Sequence, residues 1–335
     1  MILHLSNATP AETVESLSKN LDAVVMRKED HIVMVTTSKL QTLNGEAEAA
    51  KDYIQETFSF ANDMQLSSRE YRNETREVKI RDLVIGGGSN NTLMITGPCS
   101  IESEAQIEEV SEMLVEQGVK ALRAGCYKPR TSPYSFHGLG LEGLKLLDKM
   151  RSKYGLAIVT EVRDSSHVDD VIEYADVVQI GTKAMYDQFI LRRCGASNKP
   201  VLLKRGFGTT LQEFVQASEF ILSGGNENVI LCERGIRTFE DKTRFTLDIC
   251  GAAWLKAHTN LPIIMDPSHA MGKRFGVPDV TRACLGLGVD GLLIETHPDP
   301  DSALSDPAQQ LNFEMFRELN KTLPALATAL GRQMI

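Results

Sequence analysis

A chain of 335 residues, 42% hydrophobic and 24% charged, has the make-up of an ordinary globular protein and is long enough for one large domain with a small companion. A net charge of -9 at pH 7 and a pI near 5.4 argue against nucleic acid or an anionic membrane as the main partner. The opening MILHLSN has no basic region or long apolar run, no later run approaches membrane-spanning length, and six scattered cysteines suit a reducing compartment, so the expectation is a cytoplasmic protein.

In chain order, the pattern predicts a strand at 2–5 and a helix at 9–20, capped by Thr9 with Pro10 at its first position. Strands at 23–27 and 31–36 follow, then a helix at 47–56 and a strand at 58–66. The order βαββαβ is that of a ferredoxin-like module, and residues 1–70 read as a regulatory or subunit-joining domain with almost nothing catalytic in it. The charged stretch SSREYRNETREVKIR contains the expected linker at 72–76, and 78–85 ending in Gly86-Gly87-Gly88 reads as a hairpin. Linker and hairpin together occupy 71–90.

From Asn91 onward apolar strands alternate with helices. Strands are expected at 93–96, 120–123, 157–161, 177–180, 201–204, 229–232, 263–265 and 291–295. Helices are expected at 103–117, 138–154, 166–174 and 211–223. Eight such units over residues 91–335 predict a (β/α)8 barrel, and the lack of GxGxxG after the first strand disfavours an open nucleotide-binding sheet. The C-terminal strand ends form the catalytic face of such barrels, and every predicted exit carries polar or charged groups.

Two sets stand out there. Arg123, Lys128, Arg130, Thr131, Lys183, Lys204, Arg234 and Lys273 form an anion-binding set, anchored on RAGCYKPRTSPYSF at 123–136, where three cations occur in eight residues without an acid. Cys99, His269, Glu295 and Asp306 form a mixed thiolate, imidazole and carboxylate set that suits Zn²⁺, Fe²⁺, Mn²⁺ or Co²⁺ better than Ca²⁺. Their wide spacing gives no motif support, and a buried cysteine with a satisfied core histidine is the bland alternative. Cys126, Cys194, Cys232, Cys250 and Cys284 read as structural, with His137 and His297 as weaker site residues.

GPCSIES at 97–103, the 123–136 stretch, LLKRG at 202–206, CERGIRTF at 232–239, DPSHAMGKR at 266–274 and ETHPDPDSALSDPAQQL at 295–311 together resemble 3-deoxy-D-arabino-heptulosonate 7-phosphate (DAHP) synthases. The type I β group, with an N-terminal ferredoxin-like domain, is the nearest branch. The resemblance implies a transferase of aromatic amino acid biosynthesis that condenses phosphoenolpyruvate with erythrose 4-phosphate. It implies a divalent metal ion on Cys99, His269, Glu295 and Asp306, and phosphoenolpyruvate on Arg123, Lys128, Lys204 and Arg234. Arg130 and Thr131 are expected to hold the aldose phosphate, with Asp266 on its hydroxyls; Lys128, His269 and Glu161 are the expected catalytic residues. Lys183 stands where many relatives carry Arg, which implies a weaker phosphate grip without the bidentate fork.

Further implications are a tyrosine or phenylalanine effector at the N-terminal domain and a homo-oligomer, dimer or tetramer. The main rival is 3-deoxy-D-manno-octulosonate 8-phosphate synthase, which takes arabinose 5-phosphate and typically reads KANRTS where this chain has Lys128-Pro129-Arg130-Thr131-Ser132. The shorter loop with Pro suits the shorter sugar. A Schiff-base aldolase with Lys204 as nucleophile is a third reading.

Overall fold

The structure, a computed structural model, describes residues 1–43, 45, 50–128, 132 and 134–335. Its N-terminal part is an antiparallel sheet of β1 (Ile2–Ser6), β2 (Val24–Arg27), β3 (His31–Val35) and β4 (Ile54–Phe58) in the order β2-β3-β1-β4, with α1 (Ala11–Asn20) packed on one face. Alternation along β1 explains the layering. Leu3 and Leu5 meet Val14 and Leu17 of α1, while Ile2 turns the other way and joins Met26 and Val33 in the core shared with the rest of the chain.

Three local expectations fail here. Pro10 occupies the N-cap position of α1 rather than its first turn, because the Thr9 hydroxyl turns back to donate to the Ser6 carbonyl at 2.6 Å. The helix expected at 47–56 lies partly outside the described residues, but its second half is a single 3-10 turn followed by β4. The strand expected at 58–66 does not form; β4 ends at Phe58, paired to β1 with Ile2 opposite it. The open edge of β1 offers a ladder that outranks local propensity, and Phe60 and Leu66 are buried without strand pairing.

The segment that follows is clamped rather than loose. Glu219 accepts hydrogen bonds from the backbone N–H groups of Gln65, Leu66 and Ser67 at 2.8, 3.1 and 2.9 Å and from the Ser67 hydroxyl at 2.5 Å. Arg76, at the end of the expected linker, is 4% exposed and donates to Asn260 Oδ1, the Leu66 carbonyl and Glu227 Oε2 at 2.9, 2.9 and 2.7 Å. Glu227 also accepts from Lys28 at 2.5 Å, which ties the N-terminal sheet to the same point. Burial pushes the Glu227 carboxyl up, but Lys28, Arg76 and Arg72 outweigh it and hold it below the usual range.

A pH test follows from that sign. A depressed carboxylate stabilises the fold above its unfolded pKa and loses that contribution as pH falls through the folded value. Glu227→Gln is expected to cost about 1–2 kcal/mol near neutrality, a figure kept small because the side chain is 43% exposed. The gap in Tm between wild type and variant should close as pH drops below about 4. A gap that stays constant down to that pH would show that Glu227 contributes no ionic contact to the seam.

Next come β5 (Glu77–Ile80) and β6 (Leu83–Gly86), an antiparallel hairpin as expected. Among the described residues, eight parallel strands then close a barrel: β7 (Asn91–Gly97), β8 (Ala121–Arg123), β9 (Ala157–Val162), β10 (Val177–Ile180), β11 (Val201–Lys204), β12 (Val229–Glu233), β13 (Ile263–Met265) and β14 (Gly291–Glu295). β14 returns to β7 with Gly291 opposite Leu93 and Glu295 opposite Gly97. The short β15 (Gln333–Met334) joins the start of β7. Strands covered on both faces read as continuous apolar runs, which is why their sequence positions were plain.

The crossover helices are α2 (Glu104–Glu116), α3 (Leu141–Tyr154), α4 (Val168–Tyr174), α5 (Gln188–Gly195), α6 (Leu211–Leu222), α7 (Ile249–His258), α8 (Pro267–Met271), α9 (Val277–Gly286) and α10 (Phe313–Ala329). Their ends are set by side chains: Thr210 and Glu213 form a capping box on α6, and Ser103 accepts from the Gln106 N–H to start α2. The barrel interior is filled by Leu93, Val159, Leu202, Ile230 and Leu293, and Val78, Ile80, Leu83 and Ile85 of the hairpin pack into the same cluster. The hairpin therefore stops the N-terminal end of the barrel and leaves the opposite end for chemistry.

Candidate active site

Local structure at the strand exits brings the expected metal set together. Gly97, at φ 147, gives β7 a turn no other residue would accept, because an added Cβ would collide with the Arg123 carbonyl. Two residues on, Cys99 is fully buried and donates its N–H to Gln310 Oε1 at 2.9 Å. Asp266 caps α8 by accepting from the His269 N–H at 3.0 Å, so this short helix starts directly at the end of β13 and holds His269 over the barrel mouth. Glu295 is the last residue of β14, and Asp306 adopts φ 45, a left-handed conformation uncommon outside glycine.

Ligand-type atoms of Cys99, Glu295 and Asp306 all lie within 4.8 Å of one another. Cys99 Sγ is 3.7 Å from Asp306 Oδ2, and His269 Nε2 is 3.5 Å from Glu295 Oε1. The electrostatics suit a cation there. Burial, with Glu295 and Asp306 alongside, pushes the Cys99 thiol up to about 11. Asp306 is held down at about 2 in spite of burial, chiefly by Arg244 and His269, and burial keeps His269 below its usual value and neutral. One thiol, one imidazole and two carboxylates in such proximity fit a divalent transition metal.

The cations surround this group in two tiers. Arg123, 2% exposed, donates to the Pro98 carbonyl at 2.8 Å and to Glu295 Oε1 at 2.7 Å. Lys128 Nζ lies 3.0 Å from the Cys99 carbonyl and 3.1 Å from its sulfur. Burial opposes the Lys128 charge, yet Cys99 and Glu161 hold its pKa above the usual value. Lys204 and His269 both reach Asp266 Oδ2, at 2.6 and 2.7 Å, so the carboxylate expected on sugar hydroxyls is fully buried and engaged by protein.

Above them opens a cavity of about 150 Å³ lined by Lys128, Glu161, Lys183, Lys204, Arg234, His269 and Asp306. Glu161 accepts from Gln179 Nε2 at 2.7 Å. Lys273 is not in its wall; its ammonium donates to the Lys242 carbonyl on the outside. Arg130 and Thr131 lie outside the described residues. His137 supplies a carbonyl to the Lys128 N–H, and His297 is buried 3.5 Å from Glu102. Of the cysteines read as structural, Cys126, Cys194, Cys232 and Cys284 are buried, whereas Cys250 is exposed.

Sequence reading missed Phe207, Arg244 and Phe245, which line the cavity together with Thr182 of the fourth strand exit. Phe207 and Phe245 stack with centroids 5.5 Å apart, Arg234 lies 4.2 Å over Phe245, and Arg237 lies 4.7 Å over Phe207. This stack holds the Arg234 guanidinium flat and leaves donors open: among the described residues Nε has no partner and Nη1 reaches the Gly235 carbonyl at 3.4 Å. A second buried network, Arg205 to Glu233 at 2.9 Å and to Asp248 at 2.8 Å, fixes the strand end from which Arg234 projects. The cue available in sequence was the run of Arg and Phe from 234 to 245 after CERG.

The geometry places a metal-type group next to buried cations, of which Lys128 and Arg234 have no carboxylate at salt-bridge distance among the described residues. The DAHP synthetase I family matches residues 67–331.

The chain belongs to that family.

It is an enzyme family, and the barrel, its mouth and the six motifs all fall within the match. The phospho-2-dehydro-3-deoxyheptonate aldolase of Thermotoga maritima is 45% identical over 280 residues, covering 84% of this chain and 82% of that protein. The crystal structure of a Thermotoga maritima enzyme of that name, also called DAHP synthase, superposes with a TM-score of 0.80 at 38% identity, covering 100% of this chain and 99% of that one. A 2-dehydro-3-deoxyphosphooctonate aldolase of Syntrophotalea carbinolica is 32% identical, covering 74% of this chain and 95% of that protein. Among the described residues no helix is long and apolar enough to cross a membrane.

Proposed function

We propose that this chain is a DAHP synthase: it joins phosphoenolpyruvate, erythrose 4-phosphate and water into the seven-carbon sugar acid phosphate and releases inorganic phosphate. One observation carries the reading. A family member named for the seven-carbon acid is 45% identical to this chain, against 32% for the relative named for the eight-carbon acid.

In this reading Arg123, Lys128, Lys204 and Arg234 hold phosphoenolpyruvate, Arg130 and Thr131 hold the acceptor's phosphate with Asp266 toward its hydroxyls, and Lys183 adds a phosphate contact without the bidentate fork. A divalent ion on Cys99, His269, Glu295 and Asp306, Mn²⁺, Fe²⁺, Co²⁺ or Zn²⁺, would supply Lewis-acid polarisation of the aldehyde oxygen. C3 of phosphoenolpyruvate attacks the aldehyde carbon, water adds at C2, and the resulting hemiketal phosphate expels phosphate. Lys128, held charged, has a proton to give to the new hydroxyl, and Glu161 in the cavity wall is the base for the incoming water. Charged groups fixed in place by burial and hydrogen bonds stabilise the developing charge at small reorganisation cost.

For the remainder of the chain we propose a ferredoxin-like regulatory domain over 1–70, linker and hairpin over 71–90 and the catalytic barrel over 91–335. Its sheet order is the one that topology requires. The proposal extends to feedback control by tyrosine or phenylalanine at that domain, a homodimer or homotetramer, and a cytoplasmic setting. The deciding assay follows loss of phosphoenolpyruvate absorbance with erythrose 4-phosphate or arabinose 5-phosphate, each with and without EDTA. Erythrose-specific, EDTA-sensitive turnover is expected. Turnover with arabinose 5-phosphate alone would transfer the chain to the octulosonate reaction.

A further inference from the structure

Arg244 sits where two demands meet. Its Nη1 lies 3.4 Å from Asp306 Oδ2 and 2.9 Å from Gln309 Oε1. Asp306 Oδ2 is the same oxygen that approaches Cys99 Sγ at 3.7 Å. Gln309 in turn donates to Glu295 Oε2 at 2.6 Å, so Arg244 is tied to two of the three carboxylate and thiol groups that cluster there. A dication seated among those groups would draw on the oxygen that Arg244 uses and would repel the guanidinium.

The surroundings let the side chain leave without disturbing its loop. The Arg244 and Phe245 N–H groups donate to the carbonyls of Met271 and Ala270, which pins the backbone beside α8. The side chain itself is 43% exposed, and its contact with Asp306 is long for an ion pair. It lines the same cavity as Lys183 and Arg234. Lys128, Lys204 and Arg234 beneath are buried, whereas Arg244, like the exposed Lys183, stands at the rim.

We infer that Arg244 is an exchangeable ligand: it neutralises Asp306 when no metal is bound and turns into the cavity to bind the acceptor's phosphate monoester once a metal takes that carboxylate. The inference rests on the proposed condensation only for the identity of the anion. Metal and phosphate then favour each other's binding, and because coupling is reciprocal either can be titrated to see it.

Glycerol 3-phosphate, which has the phosphate and hydroxyls of the acceptor but no aldehyde, is titrated calorimetrically into the full chain with and without Mn²⁺. Free Mn²⁺ is followed by electron paramagnetic resonance. Wild type should bind the probe about tenfold more tightly with Mn²⁺ present, within the usual range of such couplings. In Arg244→Met the gain should vanish while Mn²⁺ binds at least as well as in wild type. Arg244→Lys should retain part of the gain and serves equally if the Met variant does not fold. A full Mn²⁺-dependent gain in Arg244→Met, or weakened Mn²⁺ binding with the gain intact, overturns the exchange. Failure of the reaction itself is seen separately, as absence of turnover in wild type with erythrose 4-phosphate.

Discussion

Cys99→Ala should lower kcat/KM for the condensation by about 1,000-fold, the loss expected when several kcal/mol of Lewis-acid stabilisation go at about 1.4 kcal/mol per factor of ten. The reason lies in how little else Cys99 does. It is fully buried, yet it packs against charged groups: Lys128 at 3.1 Å and Asp306 at 3.7 Å from its sulfur. A thiol kept merely for packing belongs among hydrocarbon, and burial among acids makes its ionisation costly unless a cation repays it. Removing one sulfur atom should change Tm little, because the vacated space borders polar groups that can take up water. Metal content after dialysis should fall together with activity, and Cys99→Ser, a harder and weaker donor, should land between. Cys99→Ala with wild-type metal content and turnover would remove this group as the metal site.

Arg234→Met is expected to separate stability from substrate binding. Arg234 is 4% exposed, burial lowers its pKa, and it has no carboxylate partner at salt-bridge distance among the described residues. Such an uncompensated buried charge costs folding energy, and a methionine of similar length should leave Tm unchanged or higher. Binding should suffer: loss of charge-assisted bonds of about 1.5–3 kcal/mol predicts a KM for phosphoenolpyruvate raised roughly 10- to 150-fold. Steady-state kinetics and a melting curve on the same sample decide it. A lower Tm with unchanged KM would mean that Arg234 serves the Phe245 stack and not a substrate.

How much of this was legible in sequence follows the physics of each part. The barrel strands were readable because burial on both faces leaves little but Val, Ile and Leu in them, as in Val201–Lys204. Strand β4 was not, because Ile54–Phe58 has no strong alternation and gains its strand character from the edge of β1. The metal-type residues were visible as a set only through the strand ends and the ordered motifs, since Cys99 and Asp306 are 207 residues apart in the chain and 3.7 Å apart in space. Arg244 and Phe245 had a weaker cue, the run of Arg and Phe after CERG. They come to the cavity by two backbone bonds to Met271 and Ala270, pairings between loops that no periodicity announces. Lys204 and Asp266 were named separately, and only the fold reveals that each occupies the other's charge.

The hairpin Glu77–Gly86 has a consequence for traffic. By stoppering the far end of the barrel with Val78, Ile80, Leu83 and Ile85, it closes that route, and among the described residues the cavity opens at the mouth. In the proposed reaction two anions enter and two leave by that doorway, and the freed phosphate cannot drain out behind the sugar that covers it. The deeper substrate must be seated before the shallower one, and departure must run in the reverse order, the long sugar acid or the phosphate waiting for whichever lies nearer the rim.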